Sequence, residues 1–143
     1  MAPQKVRNLI DKIAKARRSE NMRAIKGRDT KPELLVRRLV HSMGYRYRLH
    51  RAALPGKPDL VFPGRHAVIF VHGCFWHCHD CKRGASKPKA NAEFWAAKLA
   101  RNVERDASQL VRLKATGWRA LVIWECQLGD KIRLSGRIKR FLR

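Results

Sequence analysis

The sequence predicts an α/β domain in which helices flank a mixed β-sheet. Three observations predict it. Two apolar runs, Ala67 to Val71 and Trp118 to Trp124, read as strands buried on both faces. One long helical segment, Glu93 to Thr116, lies between them. The whole chain orders its elements as α, α, β, β, β, α, β, α, without internal repeats or an interdomain linker.

The elements follow in order. Lys5 to Arg18 carries Val6, Leu9, Ile10 and Ile13 at helical spacing, with a basic opposite face that includes Arg17 and Arg18. Thr30 is a natural N-cap, Pro32 suits a first turn, and Glu33 completes a capping box. The helix they start runs through Leu34, Leu35, Val36, Leu39, Val40 and Met43, and Gly44 stops it. Tyr45 to Leu49 reads as a strand, Leu54 to Pro58 as a turn, and Asp59 to Phe62 as a short strand closed by Pro63-Gly64. The apolar strand Ala67 to Val71 comes next. A Gly/Ser/Pro/Lys loop, Arg83 to Asn91, precedes the long helix, which Gly117 ends. Asp130 to Arg143 is a short basic helix. The expected organisation is a basic arm over residues 1–18 and one domain over 19–143.

Charge narrows the class. The chain holds 33 Lys and Arg against 11 Asp and Glu in 143 residues, a formal net charge of +22. Such an imbalance costs self-repulsion unless a polyanion is the working partner, and nucleic acid is the first expectation. No run approaches the roughly 20 apolar residues that span a bilayer. Met1 to Arg18 is charged throughout and lacks the apolar centre of a signal peptide. The expected setting is cytoplasmic, against the nucleoid, where four cysteines suit metal binding better than disulfides.

The chemistry concentrates in His72-Gly73-Cys74-Phe75-Trp76-His77-Cys78-His79-Asp80-Cys81. Structural zinc takes four Cys or His ligands. This stretch offers Cys74, His77, Cys78, His79 and Cys81, and Cys126 stands just past a strand as a distant fourth ligand. Cys74, Cys78, Cys81 and Cys126 form one plausible set, and Cys74, His79, Cys81 and Cys126 another; spacing does not choose. Asp59 opens a strand that a second apolar strand soon follows. That placement resembles the first metal-binding carboxylate of the restriction-endonuclease-like (PD-(D/E)XK-type) nucleases. Their Glu-x-Lys partner pattern is absent from Val68 to His72, and Asp59 could equally cap a turn. Asp106 could orient a histidine for base work or pair with Arg105.

Several longer blocks resemble one family. They are Asn21-Met22-Arg23-Ala24-Ile25 with Asp29-Thr30 and Glu33, Leu54-Pro55-Gly56-Lys57-Pro58-Asp59, His72 to His77, Glu93-Phe94-Trp95, Asn102-Val103-Glu104-Arg105-Asp106, and Gly117-Trp118-Arg119 through Trp124-Glu125-Cys126. In this order, over residues 19 to 128, they are similar to the very-short-patch-repair mismatch endonucleases. The resemblance implies a restriction-endonuclease-like fold braced by Zn²⁺, and Mg²⁺-dependent nicking of mismatched double-stranded DNA 5′ of the thymine in a T:G pair. Asp59 matches a metal-binding aspartate, with the Val71 backbone carbonyl as a second Mg²⁺ ligand. His77 matches the catalytic histidine, Asp106 its carboxylate partner and Glu33 an outer acid. Cys74, His79, Cys81 and Cys126 match zinc ligands. Phe75, Trp76 and Trp95 match aromatics that wedge beside the mismatch; the rival role for Phe75 and Trp76 is core packing. Arg17, Arg18, Arg23 and Lys26 are candidate phosphate contacts, and mismatch-repair proteins are implied partners. Cys78 and Val71 depart from the family pattern, Val71 standing where well-known members have threonine. The competing functions are a nuclease of looser mismatch or restriction-type specificity and a zinc-stabilised module that binds distorted DNA without cutting it.

Overall fold

A computed structural model describes residues 29–49 and 51–143. The predicted basic arm and helix, with Arg17, Arg18, Arg23 and Lys26, lie outside the described residues. Among the described residues, and besides short 3-10 helices at Pro63–Arg65 and Glu125–Gln127, the unit from Lys31 to Arg143 contains four α-helices and four strands. They are α1 (Lys31–Ser42), β1 (Arg48–Leu49), β2 (Leu60–Phe62), β3 (Ala67–His72), α2 (Lys82–Ala85), α3 (Ala92–Ala115), β4 (Arg119–Trp124) and α4 (Lys131–Leu142).

The sheet order is β1-β2-β3-β4. The first two pairings are antiparallel and β3–β4 is parallel, so the sheet is mixed as expected. A parallel pair needs a long crossover, which α3 supplies. Its register runs from Ala67 opposite Arg119 to His72 opposite Trp124.

Alternation along β3 explains how both faces are covered. Ala67, Ile69 and Val71 join Val36 and Val40 of α1 and Leu134, Ile138 and Leu142 of α4 in one core. Val68 and Phe70 join Val61 and Leu113 of α3 in another. Every residue of β3 is buried, as a central strand requires. Helix ends follow local chemistry. Gly44 and Gly117 adopt φ of +92° and +85° just past α1 and α3, a conformation that costs glycine little. The Asp130 side chain caps α4 by accepting the Arg133 N–H at 3.1 Å.

Two strand expectations need correction. Tyr45 to Leu49 shrinks to Arg48–Leu49, because only these residues lie opposite Leu60 and Val61. Trp118 to Trp124 is not buried throughout: β4 is an edge strand with one neighbour, and of its residues only Ile123 is fully enclosed. The short helix α2 was not anticipated.

Candidate active site and metal centre

Three groups of side chains converge at the C-terminal end of β3 and the loop that follows it.

The first is acidic. Asp59 enters β2 and accepts the Val71 N–H through Oδ2 at 2.6 Å. Burial pushes its carboxyl up to about 7, against the pull of that N–H, and the neighbouring Glu33 carboxyl pushes it further. Glu33 is buried in the first turn of α1, and Arg37 one turn on donates to its Oε2 at 3.3 Å. Among the described residues, two carboxyl groups therefore share a partly dry pocket beside the Arg37 guanidinium.

The second group centres on His77. Its Nδ1 meets Asp106 Oδ2 at 2.5 Å, which fixes the imidazole's orientation and leaves Nε2 as the free ring nitrogen. Asp106 also lies 3.9 Å from Arg105, so it meets both expected partners. His72 stacks on His77 with ring centres 3.8 Å apart and planes within 5°. Only 8% of His72 is exposed, and its Nδ1 has no hydrogen-bond partner. Burial, and then the facing His77, lower its pKa to about 4, so it is neutral at physiological pH. The donor atoms of His72, His77 and Asp106 lie within 4.8 Å of one another. Imidazole lone pairs lie in the ring plane, however, and two parallel planes cannot converge on one ion. This trio is built for hydrogen bonding, not for chelation.

The third group is Cys74, His79, Cys81 and Cys126, whose donor atoms also lie within 4.8 Å of one another and could hold a metal ion. Spacing left two ligand sets open, and the geometry favours this one. His79 Nδ1 is 3.4 Å from Cys126 Sγ, while its Nε2 faces the exposed Asp80 carboxylate at 3.3 Å. Metal-binding histidines characteristically have such a carboxylate behind the ring. Cys78 sits at φ +52°, and its sulfur accepts from Lys87 Nζ at 3.4 Å. Burial pushes the Cys74 thiol up to about 12, whereas the Gly84 N–H, and then His79, draw Cys81 down to about 6. Helix α2 packs so tightly that a Cβ on Gly84 would lie 1.8 Å from the His79 carbonyl oxygen. An Arg83–Glu125 ion pair ties α2 to the segment carrying Cys126.

Aromatic rings flank these groups. Phe75, Trp76 and Trp95 cluster with ring centres 5.1–5.8 Å apart, each half-buried. Phe94 extends the cluster and is 57% exposed. Lys98 Nζ lies 5.4 Å from the Trp76 ring centre and 5.6 Å from that of Trp95. Asn102 donates to the Trp76 carbonyl at 3.1 Å, holding the peptide that joins Trp76 to His77. Trp95, Lys98, Asn102 and Asp106 thus form one stripe of α3 along the loop. Sequence reasoning missed Lys98 and Asn102 here, although their helical spacing from Trp95 and Asp106 was readable. It also missed His72 and Trp124.

A mixed sheet with carboxylates, a carboxylate-oriented histidine and a metal-competent loop at one strand end defines a DNA endonuclease of the restriction-endonuclease-like α/β class, and comparison with known proteins agrees. The chain is 26% identical to a solved homing endonuclease I-Bth0305I catalytic domain, with a TM-score of 0.56 over 79% of this chain and 94% of that one. The profile of the family described as "DNA mismatch endonuclease Vsr" matches residues 10–83. The chain is 46% identical to the DNA mismatch endonuclease Vsr of Escherichia coli over 89% of this chain and 81% of that protein. It is 45% identical to the type II nicking enzyme V.XorIIP of Xanthomonas oryzae over 94% of this chain and 98% of that protein. The chain belongs to the Vsr family of DNA mismatch endonucleases.

Proposed function

We propose that the protein nicks one strand of duplex DNA on the 5′ side of the thymine in a T:G mismatch, as repair of deaminated 5-methylcytosine requires. One observation carries the reading: the residue that follows Trp76 of the aromatic cluster, His77, is the one whose Nδ1 is tied to Asp106. Mismatch sensing and proton transfer are then one peptide apart.

Phe75, Trp76 and Trp95 offer a rigid aromatic edge to the base stack. Unstacking a step costs a few kcal/mol and is cheapest where pairing is already poor, which favours a mismatch over matched duplex. His77 takes the proton of the attacking water on Nε2, and Asp106 steadies the imidazolium that results. Neutral His72 supports the ring without adding a competing charge.

The residues fit the two metals implied. Asp59 and Glu33 are hard oxygen donors, and burial first, then the Glu33 charge, raises the Asp59 pKa, a cost a cation would relieve. This suits Mg²⁺, to which the Val71 carbonyl would add a further oxygen. That ion would polarise the scissile phosphate and lower the charge repulsion against attack. The sulfur-rich quartet with one imidazole suits Zn²⁺. Tetrahedral zinc places its donors about 3.5–3.8 Å apart, close to the 3.4 Å between His79 and Cys126. Zinc would fix the loop that aims His77.

The test is cleavage of a strand-labelled duplex panel, matched and singly mismatched, with and without Mg²⁺. Nicking confined to the thymine strand of T:G, and dependent on Mg²⁺, is expected. Removing the Trp76 ring should lower the preference for T:G by about 1–3 kcal/mol, the worth of one stacked base. Equal cutting of matched and mismatched duplex would overturn the reading.

A further inference from the structure

Trp124 ends β4 directly opposite His72, the last residue of β3. Its indole stacks on His79 with ring centres 4.3 Å apart and planes 21° from parallel. The same indole lies steeply crossed to His72, ring centres 5.2 Å apart at 75°, and to His77, 6.3 Å apart at 70°. Among the described residues it is the ring shared by the Cys/His quartet and the histidine pair.

We propose that Trp124 is a positioning residue that couples the metal-competent quartet to His77; this rests on the reading of His77 as the base. The argument turns on what holds His72. Its Nδ1 makes no hydrogen bond, so packing must fix that side of its ring. Phe70 lies 5.6 Å from one side and Trp124 stands across its edge. The shortest contacts of the His77 ring are the Asp106 hydrogen bond and the His72 stack, with Trp124 farther off at 6.3 Å. The hydrogen bond restrains Nδ1 but permits the ring to rock about that bond; the stack prevents rocking. Trp124 therefore restrains His77 through His72. The Trp124 backbone is itself anchored: its main-chain N–H donates to Gln127 Oε1 at 3.1 Å, and Arg137 donates to the same oxygen at 2.8 Å. Its broad face rests on a quartet residue, so loop order at His79 reaches the base through one rigid ring.

The experiment compares Trp124→Leu and Trp124→Phe with wild type as purified. It measures metal content, kcat and KM for T:G nicking with Mg²⁺, and the histidine ring resonances by NMR. In Trp124→Leu, metal content and KM should stay near wild type while kcat falls about 10–100-fold, the scale on which small misplacement of a reacting group acts. The His72 and His77 ring resonances should shift. Trp124→Phe, which keeps an aromatic face and edge, should restore most of the rate. Wild-type kcat in the leucine variant, a raised KM with unchanged kcat, or a rate loss that only tracks lost metal would each overturn the proposal. If Trp124→Leu does not fold, Trp124→Met carries the same test, and wild-type kcat with an unperturbed His77 resonance in that variant would overturn the proposal too. His77→Ala separates this from the underlying reading. Undiminished nicking there removes His77 as the base, whereas loss there with full activity in Trp124→Leu removes only the role of Trp124.

Discussion

Replacing Asp59 by Asn should abolish nicking and at the same time stabilise the metal-free protein. The Asp59 carboxyl is raised from 3.8 to about 7, mainly by burial. The folded state therefore holds this proton more tightly than the unfolded chain. Its contribution is fully present below about pH 4 and is lost as pH rises through about 7. Three units correspond to about 4 kcal/mol at most near pH 8, and about 1–2 kcal/mol near pH 5. Asn keeps an oxygen to accept the Val71 N–H and places an amide where the Glu33 carboxylate can accept it, without the buried charge. The gain is equivalent to roughly 10 °C in melting temperature near pH 8.

The assay is thermal unfolding of both proteins with chelator, at several pH values. Their difference isolates Asp59, because His72 runs the other way: its pKa is lowered to about 4, so it adds stability as pH rises towards its unfolded value of 6.5. Adding Mg²⁺ at about 100 times its Kd should raise wild type by about 2.7 kcal/mol and leave the variant unmoved. An Asn variant less stable than wild type near pH 8, or equally stabilised by Mg²⁺, would refute the picture of a buried carboxylate awaiting a cation.

Three further outcomes are expected. Elemental analysis should find one zinc per chain in wild type and in Cys78→Ser, but not in Cys126→Ser; loss of zinc in Cys78→Ser would return Cys78 to the ligand set. Gly84→Ala should impair metal retention on dialysis against chelator, since its methyl group would collide with the His79 backbone; full retention would show that α2 can shift freely. Binding to duplex should weaken by roughly 10³–10⁵ between about 50 and 200 mM salt if 6–10 phosphates are contacted, and a shallow dependence would contradict a phosphate role for the +22 charge.

Those features that local chemistry decides were legible in the sequence. Gly44, Gly117 and Asp130 mark helix ends because left-handed backbone and N-cap bonding are decided within a few residues. Ala67 to Val71 reads as a central strand because an unbroken apolar run needs cover on both sides. What depends on neighbours was less legible. Trp118 to Trp124 is apolar apart from Arg119 and reads as buried too, yet its burial follows from its place at the sheet edge. The choice between Cys78 and His79 depends on where the loop backbone aims each side chain, which spacing does not encode; His79 joins the donor cluster, while Cys78 sits at φ +52°. Asp59, His77 and Asp106 became a set through the family resemblance, because no local pattern brings β2, the loop and α3 together. Trp124 belonged to a block of the resemblance, but nothing in its local sequence gave it a role.

The end of β3 explains why acid and base can work close together without neutralising each other. Consecutive strand residues point to opposite faces. Val71 packs in the core shared with α1, the helix that carries Glu33, and its N–H holds Asp59. His72 turns the other way and stacks on His77, which reaches Asp106 on α3. The carboxylate pair and the histidine pair are thus assigned to different sides of one strand, joined by a single peptide. A direct Asp59–His77 ion pair would satisfy both groups and leave neither a cation site nor a free base. The same logic makes register decisive. Slipping β3 by one residue would exchange the faces of Val71 and His72, burying an imidazole in the α1 core and exposing the acid pocket. The six-residue parallel pairing with β4 and the unbroken burial of Ala67 to His72 guard against that slip. On the proposed reading, the wholly buried strand β3 is therefore part of the catalytic apparatus, although apart from His72 its side chains serve only the two cores.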